Sequence, residues 1–175
     1  MTPPASRKSV SRRELAVARV LDPARERAEG KVKAFLDAAS ELVNGESGQD
    51  FTVQEVIERS GQSLRSFYQH FDGKYELLLA LFEDAIHTSA QEMRSVVEGG
   101  TSPIDSLHRF AVEYYHLCQP PPKARTTKKG FAPAFATFAQ QLLTEHPVEA
   151  SHAFNPLTEI VVGLLDQAAA AGEIR

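Results

Sequence analysis

The sequence predicts an all-α protein. Apolar residues recur at three- and four-residue spacing over most of the 175-residue chain, the period of one helix face. No stretch of useful length alternates apolar and polar residues as a strand does. Glycine and proline breaks followed by capping residues separate the periodic segments. A hydrophobic fraction of 42% supplies ample material for a core, and there is no internal repeat.

Residues 1–23 hold few large apolar side chains and several Ser, Pro and Arg, the composition of a mostly disordered tail. The helical pattern begins near Arg25 and runs to Asn44. Val32, Phe35, Leu36, Ala39, Leu42 and Val43 share one face, and glycines 45 and 48 break the helix. Thr52 is an N-cap with Glu55 three residues on, a capping box. Val53, Val56 and Ile57 form the buried stripe that follows, and Gly61 ends the helix in the left-handed conformation. Ser63 caps the next helix, expected from Leu64 to about His70 with Phe67 and Phe71 as inward anchors. Asp72 and Gly73 turn the chain.

A long helix is expected from Lys74 to about Glu98, its stripe made by Leu78, Leu81, Phe82, Ala85, Met93 and Val97. Gly99 and Gly100 stop it. Ser102-Pro103 is a cap followed by proline at the first helical position, opening a helix to about Cys118. Prolines 120, 121 and 122 forbid its continuation. A basic loop, Lys123 to Lys129, leads to a short helix with Phe131, Phe135, Phe138 and Leu142 on one side. The last helix carries Leu157, Ile160, Val161, Leu164, Leu165 and Ala168, and Gly172 ends it.

Composition excludes several classes. The longest apolar runs are short and interrupted by charge, so no segment spans a bilayer. The N-terminus lacks the apolar run of a secretory signal. The single cysteine, Cys118, permits no internal disulfide and fits a reducing cytoplasm. The net charge of −4 is unevenly placed: residues 1–82 carry 12 basic and 12 acidic side chains, residues 83–175 carry 7 and 11. A nucleic-acid partner would therefore meet the N-terminal part; a solvated, solubilising tail accounts for the same charge.

Two short helices joined by a glycine turn make a helix-turn-helix arrangement, whose second helix sets its N-terminal residues into the major groove. Its exposed side chains are expected to be Leu64, Arg65, Ser66 and Gln69. Arg65 can donate two hydrogen bonds to guanine and Gln69 can pair with adenine. Tyr68, His70 and Lys74 lie where a phosphate backbone would pass, to position rather than specify. A helical hairpin in an all-α core, its polar groups merely solvated, accounts equally for the spacing.

Gly61, Ser63, Tyr68, His70, Phe71, Lys74, Leu77 and Leu78 form a pattern that resembles the TetR-type transcriptional regulators. Thr52-Val53-x-Glu55-Val56 is similar to that family's second helix and Phe35-Leu36-Asp37-Ala38-Ala39 to its first. The motifs cover roughly Lys31 to Phe82. Beyond Phe82 the resemblance is one of helical layout and of the closing Ala171-Gly172-Glu173-Ile174-Arg175.

The resemblance implies a homodimeric, cytoplasmic repressor. Its three-helix DNA-binding domain is expected over residues 24–73 and its helical effector-binding and dimerisation domain over 74–175. Gln54, Leu64, Arg65 and Ser66 would face bases of a double-stranded operator. Thr52, Tyr68, His70 and Lys74 would hold phosphates. A small, largely apolar effector would shift the helix beginning at Lys74. Three departures stand out. Ile57 replaces a residue usually small in the family, which alters packing between the first two helices. Leu64 offers no hydrogen bond, so readout rests on Arg65. The last two family helices, which form the dimer's four-helix bundle, are missing, so either the sequence is incomplete or another surface dimerises; the stripe from Leu157 to Ala168 is then the prime candidate for an exposed apolar face.

Phe110, Tyr114, Tyr115, Phe131, Phe135 and Phe138 are candidates for an apolar ligand pocket with polar tips, and a plain core explains the same spacing. No cofactor or metal is expected. His108 and His116 are too far apart to share a metal, and no metalloprotease, nucleophile-elbow or phosphate-loop motif is present. Two alternatives remain: a helical ligand-binding protein without operator binding, and a small helical enzyme.

Overall fold

Helix capping sets the frame. In the computed structural model, which describes residues 12–45, 51–119 and 133–174, every regular element is an α-helix. In chain order they are α1 (Arg12–Val43), α2 (Val53–Ser60), α3 (Leu64–Tyr68), α4 (Lys74–Val97), α5 (Pro103–Cys118), α6 (Pro133–Glu145) and α7 (Pro147–Ala170). Ser102 caps α5 by accepting the Asp105 N–H, with Pro103 at the first position. Gly172, at φ 71°, turns the chain after α7. The loop Lys123–Lys129 and the first eleven residues lie outside the described residues.

One expectation fails at the N-terminus. The segment expected to be a disordered tail is helical from Arg12 onward, so α1 begins well before Arg25 and carries Pro23 inside it. The scarcity of apolar residues there argues against burial, and residues 22–27 are indeed exposed. It does not argue against helix, because Arg, Glu and Ala are good helix formers. Arg25 donates to Glu29 at 2.6 Å and the Arg27 guanidinium donates to the Pro23 carbonyl at 2.8 Å. Such exposed contacts are screened by solvent and contribute little to stability.

The helices share one buried cluster. In the N-terminal part, Phe35 of α1 meets Phe67 edge-on at 5.4 Å and Phe71 at 6.1 Å. Such pairs add about 0.5–1.5 kcal/mol beyond area burial. Ile57 is buried in the same cluster, so its bulk lies in the core. α4 contacts α1, and also packs with α5 and α7, so its stripe from Leu77 to Val97 belongs to both parts of the molecule.

A second correction concerns α7. Leu157, Ile160, Leu164 and Ala168 are buried, because that stripe is the one packed on α4 and α5. The exposed large apolar side chains of α7 are Val148, Val162 and Leu165. A close approach fixes the α4–α5 corner: a Cβ on Gly100 would lie 2.1 Å from the Ser106 hydroxyl and 2.9 Å from its backbone nitrogen. Ser106 is buried and donates to the Val97 carbonyl at 2.8 Å.

Candidate nucleic-acid interface and ligand cleft

α2 has only eight residues, too few to be helical alone, and its ends are closely fixed. The Thr52 hydroxyl accepts the Glu55 N–H at 3.2 Å. The Glu55 carboxylate accepts the Thr52 N–H at 2.6 Å and its hydroxyl at 2.9 Å. The Thr52 N–H, then its hydroxyl, holds the Glu55 carboxyl below its ordinary value. Phe51 and Val56, on either side of the cap, are both buried, as in a hydrophobic staple. Gly61 takes φ 65° and ends the helix, a conformation that costs other residues more.

α3 is five residues long and capped by Ser63, whose hydroxyl accepts the Ser66 N–H at 3.1 Å. Leu64, Arg65, Tyr68 and Gln69 are exposed, whereas Ser66 and Phe67 are buried. This division follows from the helical turn: positions 64, 65, 68 and 69 cover one side, and 66 and 67 the other. Ser66 is therefore corrected as a base-facing residue. It is 5% exposed, and its hydroxyl has no partner among the described residues. Leu64 at 52% and Tyr68 at 56% leave an unusual amount of apolar surface beside Arg65.

The other expected contacts surround this face. Gln54 is exposed on α2, its amide donating to Glu58 at 2.9 Å. His70 is half-buried in the turn after α3. The Lys74 ammonium sits 4.6 Å over the Phe51 ring. That contact ties the first residue of α4 to the residue preceding the α2 cap. Phe51 is legible in the sequence only through the pairing of an apolar residue just before an N-cap with another at the fourth helical position, Val56. Residues 47–76 hold three basic and five acidic side chains, so attraction to phosphates is weak there and rests on the placement of Arg65, Lys74 and the helix ends.

The expected pocket aromatics separate. Phe110 and Tyr114 line a cleft of about 620 Å³ together with Leu143 of α6 and Phe154, Leu157, Val161 and Val162 of α7. The two rings stack at 6.0 Å and 8°. Burial, then the neighbouring Cys118 thiol, pushes the Tyr114 phenol up, so it remains a neutral hydroxyl. Tyr115 is 61% exposed and is not part of that lining. Phe138 is a core residue between Tyr75 and Phe82. Phe135 lies on α6, and Phe131 lies outside the described residues. Among the described residues no three His, Cys, Asp or Glu side chains gather as a metal site. No helix of the described residues is long and apolar enough to cross a membrane.

Residues 35–81 match the family model described as bacterial regulatory proteins, tetR family. No curated protein matches the sequence. Two solved structures share the fold. One is a TetR family transcription regulator from Marinobacter aquaeolei VT8, with a TM-score of 0.57 and 17% identity over 85% of this chain and 73% of that one. The other is FadR of Thermus thermophilus, a TetR family transcriptional repressor solved in complex with lauroyl-CoA. It has a TM-score of 0.57 and 21% identity over 82% of this chain and 70% of that one.

Proposed function

We propose that this chain, a TetR-type DNA-binding transcriptional regulator, acts in the cytoplasm as a homodimeric repressor that leaves its operator when a small apolar effector enters the α5–α7 cleft. The observation that carries the DNA-binding role is the doubly capped α2–α3 unit with Arg65 and Gln69 on the open side of α3. Arg65 and Gln69 read bases in the major groove, with Leu64 against a thymine methyl and Gln54 reaching across from α2. Thr52, Tyr68, His70 and Lys74 hold the flanking phosphates and set the register. Two heads in a dimer meet half-sites about 34–36 Å apart.

The cleft supports an uncharged, apolar effector. Its lining among the described residues carries three polar side chains, Tyr114, Ser151 and Thr158, and no charged one. An unpaired ion there would bear a large desolvation cost. Lauroyl-CoA, bound by the Thermus protein, has an apolar chain of comparable chemistry. An effector that prefers one position of α4 by a few kcal/mol displaces the operator equilibrium by orders of magnitude.

The test is the affinity for duplex DNA selected by the protein from a random library, measured by fluorescence anisotropy across a salt series. Each phosphate neutralised by a cation contributes a log–log slope of about −0.9, so the two Lys74 side chains of a dimer alone give a slope of about −1.8. A flat response would leave the two rival readings standing: a helical ligand-binding protein without operator binding, or a small helical enzyme.

A further inference from the structure

We propose that Phe138 of α6 is the positioning residue that couples occupancy of the α5–α7 cleft to the first turn of α4. The inference rests on the effector-responsive reading above and names the route by which that response reaches the DNA-binding end. Phe154 forms part of the cleft wall, and its ring meets Phe82 of α4 at 5.4 Å. Phe82 meets Phe138 at 5.8 Å, and Phe138 meets Tyr75 at 5.9 Å. Tyr75 follows Lys74, the residue stacked on Phe51 before the α2 cap. The chain of rings therefore runs without a gap from the cleft to the start of α4.

The geometry gives Phe138 particular leverage. Tyr75 and Phe82 are seven residues apart, two turns along one helix face, or about 10 Å along the axis. Phe138 sits between them, nearly equidistant from both rings. Phe82 and Phe138 are 1% and 2% exposed, so neither moves without displacing a neighbour in a close-packed interior. Tyr75 is also held from the α6–α7 junction, where the His146 ring lies 4.9 Å away. Toward its other end α4 is tied to α7 by Arg94 and Glu159 at 3.7 Å. A ligand that presses on Phe154 displaces Phe82 and Phe138 together, and the response appears as a shift of the Tyr75 turn. Lys74 and the α3 anchor Phe71 lie immediately beside that turn in the chain.

The experiment measures the coupling between cleft and DNA in the full chain. The cleft probe is N-phenyl-1-naphthylamine, an uncharged apolar fluorophore, and the DNA is a duplex selected by the protein from a random library. Saturating probe is expected to weaken wild-type DNA binding by about tenfold, within the usual range of allosteric coupling. Phe138→Leu is expected to keep probe affinity and probe-free DNA affinity within about twofold of wild type, while coupling falls below about threefold. Tyr75→Leu, at a position 38% exposed, is expected to lose coupling in the same way and decides the matter where Phe138→Leu does not fold. Leu165→Ala, on the exposed side of α7 and outside the cleft lining, is expected to keep the full effect. Tyr75→Leu, or a folded Phe138→Leu, that retains the wild-type ratio overturns the relay and leaves the effector reading intact. A wild-type protein whose DNA affinity ignores the probe overturns the effector reading, and the relay with it.

Discussion

Replacing Arg65 with alanine separates reading from mere attraction, and Lys74 supplies the contrast. Arg65 is exposed on a helix whose neighbouring open positions are Leu64, Tyr68 and Gln69. Leu64 and Tyr68 offer no bidentate pairing, so base discrimination on that face rests on Arg65 and Gln69, and loss of Arg65 is expected to remove the guanine-reading part of it. A bidentate arginine–guanine pair discriminates by about 1–3 kcal/mol, or about 5- to 150-fold in affinity for the selected duplex. The salt slope is expected to stay close to that of wild type, and preference at one base position to relax. Lys74→Ala is expected to do the reverse: affinity falls on every duplex alike and the slope shrinks by about 1.8, about 0.9 for each head of the dimer. Lys74 also sits over Phe51, so its loss costs about 0.5–1 kcal/mol of stability through the lost cation–π contact. Anisotropy titrations well below the unfolding temperature, on selected and scrambled duplexes at four or five salt concentrations, separate these effects. An Arg65→Ala protein that binds the selected duplex as tightly as wild type refutes the base-reading assignment. A drop of about 1.8 in its slope, about 0.9 per head, with unchanged preference reassigns Arg65 to a phosphate.

Ser66→Ala tests the corrected face of α3. With its buried hydroxyl unpartnered among the described residues, the alanine variant is expected to be about 1 kcal/mol more stable in urea unfolding and to bind DNA with unchanged affinity; a tenfold loss would return Ser66 to the interface. Gly100→Ala drives a Cβ against the Ser106 backbone nitrogen at 2.9 Å, which cannot withdraw as a flexible side-chain end does. It is expected to cost about 2 kcal/mol in the same assay, and a neutral result would show that the α4–α5 corner gives way. Acid stability follows from two helix-capping carboxylates. Glu55 is held below its ordinary 4.5, chiefly by the Thr52 N–H. Asp105 is held below its ordinary 3.8, first by the Thr101 N–H and then by Arg109. A depressed folded pKa stabilises above the unfolded value, and the contribution fades as pH falls through the folded one. The melting temperature is thus expected to drop below about pH 4.5. Glu55→Gln combined with Asp105→Asn should flatten that drop; an equally steep profile in the double variant would refute the assignment.

The fold was largely legible because helix signals are local. Thr52 with Glu55, Ser63, Ser102 with Pro103, and Gly61 mark their boundaries through backbone hydrogen bonds and dihedral preference, and the structure places caps at those residues. Burial was less legible, because periodicity identifies an apolar face and not its neighbour. The stripe of α7 from Leu157 to Ala168 reads equally well as an exposed face or a core. Packing on α4 and α5 decides for the core and leaves Val148, Val162 and Leu165 outside. The same ambiguity divided the aromatics: Phe110 and Tyr114 share a cleft with α7, whereas Phe138 fills the space between two rings of α4. Ser66 was misread for a different reason. A short polar side chain carries no burial signal, and only the burial of Phe67 beside it identifies the inward side of so short a helix.

That short helix also bears on how a DNA-binding head of this design is controlled. Five residues make too few internal hydrogen bonds to fix α3, so its orientation is imposed from outside. Ser63 fixes its start, and Phe67 locks it to Phe35 of α1 and to Phe71. Phe71 lies three residues before α4 begins. Gly73 ahead of α4 makes no side-chain cap, but the Asp72 N–H donates to the Glu76 carboxylate, fastening the turn to the helix that follows. The orientation of α3 is therefore set by α1 on one side and by the first turn of α4 on the other. A control signal need not reach Arg65 itself. On the proposed reading it is enough to move the turn bearing Lys74 and Tyr75, because the Phe71–Phe67 contact would carry that displacement to the buried side of α3.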